Sequence, residues 1–225
     1  MRIRSQSLAD ADRARIVAVV GADGTGKTTQ VRRLSERLRA EGVRARSVRP
    51  VFLLFDPYRL SEGGGNSTAF PGSPRMSRLR QDGTRGGRRP RSPLLLTAVV
   101  GYAYALASYL ALRWARRRSE VVVCDRYFYQ FFYDLVGPAG SKLARSFPRP
   151  DLVVWLDARL ETIVARSGPS PPDRPEVEYL SSVIEYYREI GERLDFRRID
   201  AEMDETLVAE AIWDAVKEGL TSCDT

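Results

Sequence analysis

Apolar residues along this chain fall into two alternating rhythms. Short β-branched runs, IVAVV (16–20), VVVC (121–124) and DLVVWLD (151–157), predict strands buried on both faces. VRARSVR (43–49) and FRRID (196–200) read as weaker strands. Between them, apolar residues return every three or four positions. This predicts helices over 28–41 (Val31, Leu34 and Leu38 on one face, Gly42 as the stop), 160–166, 176–194 and 205–220. Strand and helix alternate, so the expected fold class is α/β, a parallel sheet with helices on both faces.

Two stretches break the rhythm. LLLTAVVGYAYALASYLAL (94–112) is uncharged, flanked by arginines and long enough to cross a bilayer as a helix. A buried helix is the preferred reading. The stretch runs at once into VVVCDRY, a core strand of the same sheet, and a span would put that strand and the glycine-rich loop after 16–20 on opposite sides of a membrane. The other stretch, 61–93, is rich in Gly, Pro, Ser and Arg and has no period. It carries seven arginines against Glu62 and Asp82, so five of the chain's seven net positive charges lie there. A loop this long either serves a ligand or is solvated chain.

The 225 residues suit one domain with an insertion. A net charge of +7 and a pI near 9.7 favour anionic ligands. There is no histidine, which excludes His-based triads and metal sites. Two cysteines at this separation, Cys124 and Cys223, give no disulfide framework, so a reducing, cytoplasmic setting is expected. Residues 1–14 have no apolar core and read as an extension, not a secretory signal.

GADGTGKTT (21–29) contains G-x-x-x-x-G-K-T between a predicted strand and a predicted helix. Gly21, Gly24 and Gly26 permit tight backbone and close approach of phosphate oxygens. Together with Ala22, Asp23, Thr25 and Thr29 they form a loop whose amides can cradle phosphates. Lys27 can reach the β- and γ-phosphates and Thr28 can ligate Mg²⁺. Asp23 is either a turn former or an acceptor for a second substrate. Asp125 and Arg126 follow a buried strand, where doubly wound sheets bind ligands. Asp125 can hold Mg²⁺ or take a proton from an acceptor, Arg126 can neutralise phosphate, or the two can simply cap the strand end. Arg166 and Arg174 bracket SGPSPPD, either as a segment that closes over phosphates or as a plain interhelix loop.

Taken together, GADGTGKTT, VVVCDRY, RPDLVVWLDARLETIVAR, DRPEVEYLSSVIEYYREI and IDAEMDETLVAEAI resemble the thymidylate kinase family of nucleoside monophosphate kinases, in order and spacing. The resemblance covers most of 15–220, with 61–93 outside it as a basic insertion and 167–175 as the lid. It implies a five-stranded parallel sheet of P-loop NTPase type, Mg-ATP as donor and a nucleoside 5′-monophosphate as acceptor. Asp23 matches the acid that contacts the acceptor sugar, Asp125 and Arg126 match the pair at the transferring phosphate, and Arg166 and Arg174 match the lid. Family members are homodimers packed through helices.

The departures cluster on the acceptor side. An R-E-P-G-G-T stretch is reduced to Arg49-Pro50 followed by VFLLFD, which leaves Arg49 and Phe52 as acceptor-side candidates. The arginine expected in the long helix falls near Tyr104, and FYQFFYDLV has no match at the position of the glutamine that reads the thymine edge. The leading expectation is phosphorylation of dTMP. One alternative is the same chemistry on another small molecule, with the aromatic stretches 52–58 and 127–133 lining its pocket. The other is an NTP-binding regulatory or nucleic-acid-associated protein. Against this last, the basic segment has no interleaved aromatics to stack on bases.

Overall fold

In a computed structural model, the described residues are 15–54, 91–166 and 172–221. The expectations for residues 1–14, 55–90 and 167–171 lie outside them.

Five strands form one parallel sheet: β1 (Arg15–Val20), β2 (Ala45–Val48), β3 (Val121–Asp125), β4 (Leu152–Asp157) and β5 (Arg197–Asp200), in the order β2-β3-β1-β4-β5. The central strands are buried along almost their whole length, as their unbroken apolar runs require. Helices α1 (Lys27–Ala40), α2 (Arg91–Ala115), α3 (Phe128–Val136), α4 (Gly140–Ser146), α5 (Leu160–Ala165), α6 (Arg174–Leu194) and α7 (Glu205–Thr221) connect and cover it.

The register positions the site. Val19 lies opposite Asp125 and Val48 opposite Cys124. The residues that leave the carboxyl ends of three adjacent strands are therefore Arg49, Asp125–Arg126 and Gly21 onward, side by side. The chain turns one way from β1 to β2 and β3 and the other way to β4, so this is also the sheet's switch point, where a crevice opens.

The sequence pattern misses two helices. In α3 every residue from Phe128 to Tyr133 is buried, and its one polar row, Gln130 and Asp134, spans a helix of only nine residues, too short to establish a period. Its rings pack with Tyr127 around Phe147. Helix α4 has only seven residues. Helix α6 starts two residues earlier than predicted: Asp173 accepts from the Glu176 N–H and Glu176 accepts from the Asp173 N–H, a capping box that tolerates Pro175 in the first turn.

The buried-helix expectation for 94–112 needs correcting. Helix α2 starts at Arg91 and buries one face only, along Gly101, Ala105, Ser108, Tyr109 and Leu112. A Cβ at Gly101 would overlap Leu135 Cδ1, so the glycine leaves room for that side chain of α3 against α2. Leu95, Leu96, Val99, Val100, Leu110 and Trp114 are exposed. Over Leu95–Trp114 the helix has the length and hydropathy of a bilayer span, with 22% of the residues buried.

Candidate active site

Gly26 closes the loop after β1 in a left-handed conformation and Lys27 begins α1. The loop braces itself: the Thr25 hydroxyl donates to the Ala22 carbonyl at 2.9 Å, and Lys27 Nζ donates to the same carbonyl. Gly21 has φ +144°, and a Cβ there would lie 2.4 Å from the Leu156 carbonyl oxygen of β4. Gly21→Ala therefore combines backbone strain with overpacking, each costing about 1–3 kcal/mol. Chemical denaturation is expected to show roughly 3 kcal/mol of lost stability.

Asp23 sits between two cations. Arg126 Nη2 lies 2.6 Å from Oδ1, and Lys27 Nζ lies 3.5 Å from the same oxygen. Burial alone would raise the Asp23 pKa, but Lys27 and Arg126 together hold it below the ordinary carboxylate value. Burial pulls the Lys27 ammonium down to about 8, with Asp23 opposing the shift. Arg126 has φ 71°, left-handed backbone that a residue other than glycine seldom adopts, and its N–H donates to the Val19 carbonyl. Strain of this kind belongs to positions whose side chain must be aimed.

Asp125 is buried at the end of β3. Its Oδ2 accepts from the Thr28 hydroxyl at 3.1 Å and from Arg49 Nε at 2.8 Å, and Arg49 Nη2 lies 3.3 Å from Thr28 Oγ1. Its Oδ1 is buried and has no hydrogen-bond partner among the described residues. An orphaned hard oxygen beside a hydroxyl fits Mg²⁺, which at nucleotide sites takes one or two protein oxygens and completes its shell with phosphate and water. Among the described residues no group of three or more His, Cys, Asp or Glu side chains is placed to hold a metal.

Beyond Arg126 a small pocket is lined by Arg49, Val51, Phe52, Gln130, Phe131 and Asp134, among others. Tyr104 stands behind it, its ring 5.7 Å from Phe131 and its hydroxyl donating to the Val51 carbonyl.

The structure thus brings together Asp23, Lys27, Thr28, Arg49, Asp125 and Arg126, with Phe52 next to them. It does not bring in Arg166 or Arg174. Arg166 Nη1 donates to the Ala201 carbonyl at 2.9 Å, and Arg174 is exposed and paired with Glu178. Sequence reasoning misses Gln130, Asp134 and Tyr179. Gln130 stands one helical turn beyond Arg126, a signal that could have been used; the other two are joined only by the fold.

A parallel five-stranded sheet with this glycine-rich loop and an Asp-Arg pair at its switch point defines the class: an α/β protein of the P-loop NTPase type. No family model matches the chain. Individual relatives do. It is 30% identical to a thymidylate kinase of Bradyrhizobium diazoefficiens over 92% of this chain and 91% of the relative. It is 31% identical to one of Alkalilimnicola ehrlichii over 95% of each. It is also 31% identical to one of Methylococcus capsulatus over 88% of this chain and 92% of the relative. The chain belongs to the thymidylate kinase family.

Proposed function

We propose that this protein transfers the γ-phosphoryl group of ATP to the 5′-phosphate of dTMP, giving ADP and dTDP. The observation that carries the reading is the order of groups along one sheet edge: Arg49, then Asp125–Arg126, then the phosphate loop, with an aromatic-walled pocket adjoining.

The acceptor's phosphate supplies its own nucleophile, because a phosphomonoester is largely dianionic at neutral pH (second pKa about 6). Its oxygen forms the new bond to the γ-phosphorus as the bond to the β,γ-bridging oxygen breaks, and ADP leaves with that electron pair. No general base is needed, which suits a chain without histidine. Catalysis is then positioning and charge neutralisation. Lys27 and the loop amides from Gly21 to Thr28 hold the β- and γ-phosphates. Arg126 stabilises charge on the transferring group, Arg49 takes the acceptor phosphate, and Asp23 accepts a hydrogen bond from the acceptor sugar. Mg²⁺, which Asp125 and Thr28 would hold, supplies charge neutralisation on the donor phosphates. The lid arginines Arg166 and Arg174 stand away from the loop in this conformation and are assigned to a nucleotide-bound one. The setting is cytoplasmic.

One observation favours a second acceptor within the same chemistry. Tyr104, where the family pattern places an arginine, directs its hydroxyl to the Val51 carbonyl. A pocket short of base-reading polar groups discriminates weakly between bases. The test is ADP formation across dTMP, dUMP, dCMP, dGMP and dAMP, with water as control. The expected result is turnover that requires dTMP; turnover that requires a different monophosphate replaces the acceptor and keeps the chemistry.

The exposed face of α2 is assigned to a second copy of the chain, in a homodimer rather than a membrane. An apolar row this continuous is unusual on a monomer surface. Val99→Asp combined with Leu110→Asp is expected to convert a dimer into a monomer in sedimentation velocity.

A further inference from the structure

The mechanism leaves a buried polar row behind Arg126 unused. Arg126 Nη1 lies 3.4 Å from Gln130 Oε1, Gln130 Nε2 donates to the Tyr179 hydroxyl at 3.2 Å, and that hydroxyl donates to Asp134 Oδ1 at 2.7 Å. Gln130 is almost fully buried, and Asp134 and Tyr179 are partly so. Three elements meet here: the end of β3, helix α3 and the second turn of α6.

We propose that Gln130, Tyr179 and Asp134 are positioning residues that aim the Arg126 guanidinium at the transferring phosphoryl group. The hydrogen-bond directions support this. Every donor points away from Arg126 and toward the Asp134 carboxylate. Each bond therefore polarises the next, and the Gln130 carbonyl becomes a stronger acceptor for the cation. Tyr179 remains a donor at neutral pH, because burial and the adjoining Asp134 carboxylate hold its phenol well above its ordinary pKa. The row also fixes which way the Gln130 amide faces, since a hydroxyl already committed to a carboxylate accepts only from the NH₂ end.

The need for such a row comes from Asp23. Among the described residues, Asp23 is the closest carboxylate to Arg126, at 2.6 Å. In the phosphotransfer reading Asp23 turns to the acceptor sugar, and the guanidinium then needs a second anchor. Gln130 provides one at Nη1, and Tyr179 ties that anchor to the helix that follows the lid.

The test has a spectroscopic arm and a kinetic arm, and only the kinetic arm rests on the proposed reaction. In nucleotide-free protein, the ¹⁵Nε–Hε resonance of Arg126, assigned with Arg126→Lys, is expected to show restricted motion in the wild type. It should become mobile in Tyr179→Phe and Gln130→Leu. With dTMP, or with whichever monophosphate the wild type phosphorylates, Tyr179→Phe is expected to lower kcat roughly 10- to 100-fold, the scale of a misplaced catalytic group. KM for both substrates should stay within about twofold, and the thermal midpoint should fall by only a few degrees, the cost of the lost buried hydrogen bonds. The double variant should be no slower than Gln130→Leu alone, because one row is already broken. An Arg126 signal equally rigid in Tyr179→Phe overturns the proposal. So does a raised acceptor KM at unchanged kcat, or rate losses that multiply. A wild type inactive on every monophosphate would refute the reaction while the motional result still decides the row.

Discussion

Lys27→Met is expected to reduce phosphoryl transfer by at least about 10²–10³-fold, the usual effect of deleting one preorganised charge stabiliser, while leaving the fold intact. Lys27 is 4% exposed and its ammonium rests on the Ala22 carbonyl and Asp23. Methionine keeps the stem's volume, and Asp23 keeps Arg126 as its partner. The same burial gives the variant a pH signature. Lys27 titrates near 8 in the folded chain, below its ordinary 10.5. Between these values the unfolded chain binds the proton and the folded chain does not, so the contribution of Lys27 to stability rises with pH through that window. Denaturation of wild type and Lys27→Met at pH 7.5 and pH 10 is expected to show the wild type gaining relative to the variant. A variant with near-normal kcat would remove Lys27 from the site.

Arg126→Ala is expected to cost about 10³-fold or more in kcat, the lower end of what an arginine on a transferring phosphoryl group contributes. Stability separates the side chain's task from the backbone's. Position 126 has φ 71°, which costs an L-residue roughly 1–2 kcal/mol and glycine almost nothing. Arg126→Gly should therefore be as inactive as Arg126→Ala yet more stable by about 1 kcal/mol. Arg126→Lys should recover only part of the rate, because an ammonium cannot bridge Asp23 and Gln130 in two directions at once. Equal activity in Arg126→Lys and wild type would reduce the role to a point charge.

Much of the candidate site is legible in the sequence because its parts are local. The loop 21–29 announces itself by glycine spacing between a strand and a helix, and Asp125 by ending an unbroken apolar run. Adjacent parallel strands in register then bring Arg49, Asp125 and Gly21 to one edge. Legibility fails where a segment is short or uniform. Helix α3 is nine residues long with Phe128 to Tyr133 all buried, too short a stretch for Gln130 and Asp134 to announce a polar face. Helix α2 is apolar all round, so only small residues such as Gly101 and Ala105 reveal which face packs. It also fails across long sequence separations: nothing in the chain's order joins Asp134 to Tyr179, 45 positions apart. The lid arginines show the same gap, since matching positions do not specify where a flexible guanidinium rests.

ATP labelled in its γ-phosphate, incubated with the protein, Mg²⁺ and dTMP, should deliver the label to dTDP in step with ADP release, with negligible label in inorganic phosphate. Label that stays in ATP, or that appears as inorganic phosphate at the same rate with and without dTMP, would contradict the account.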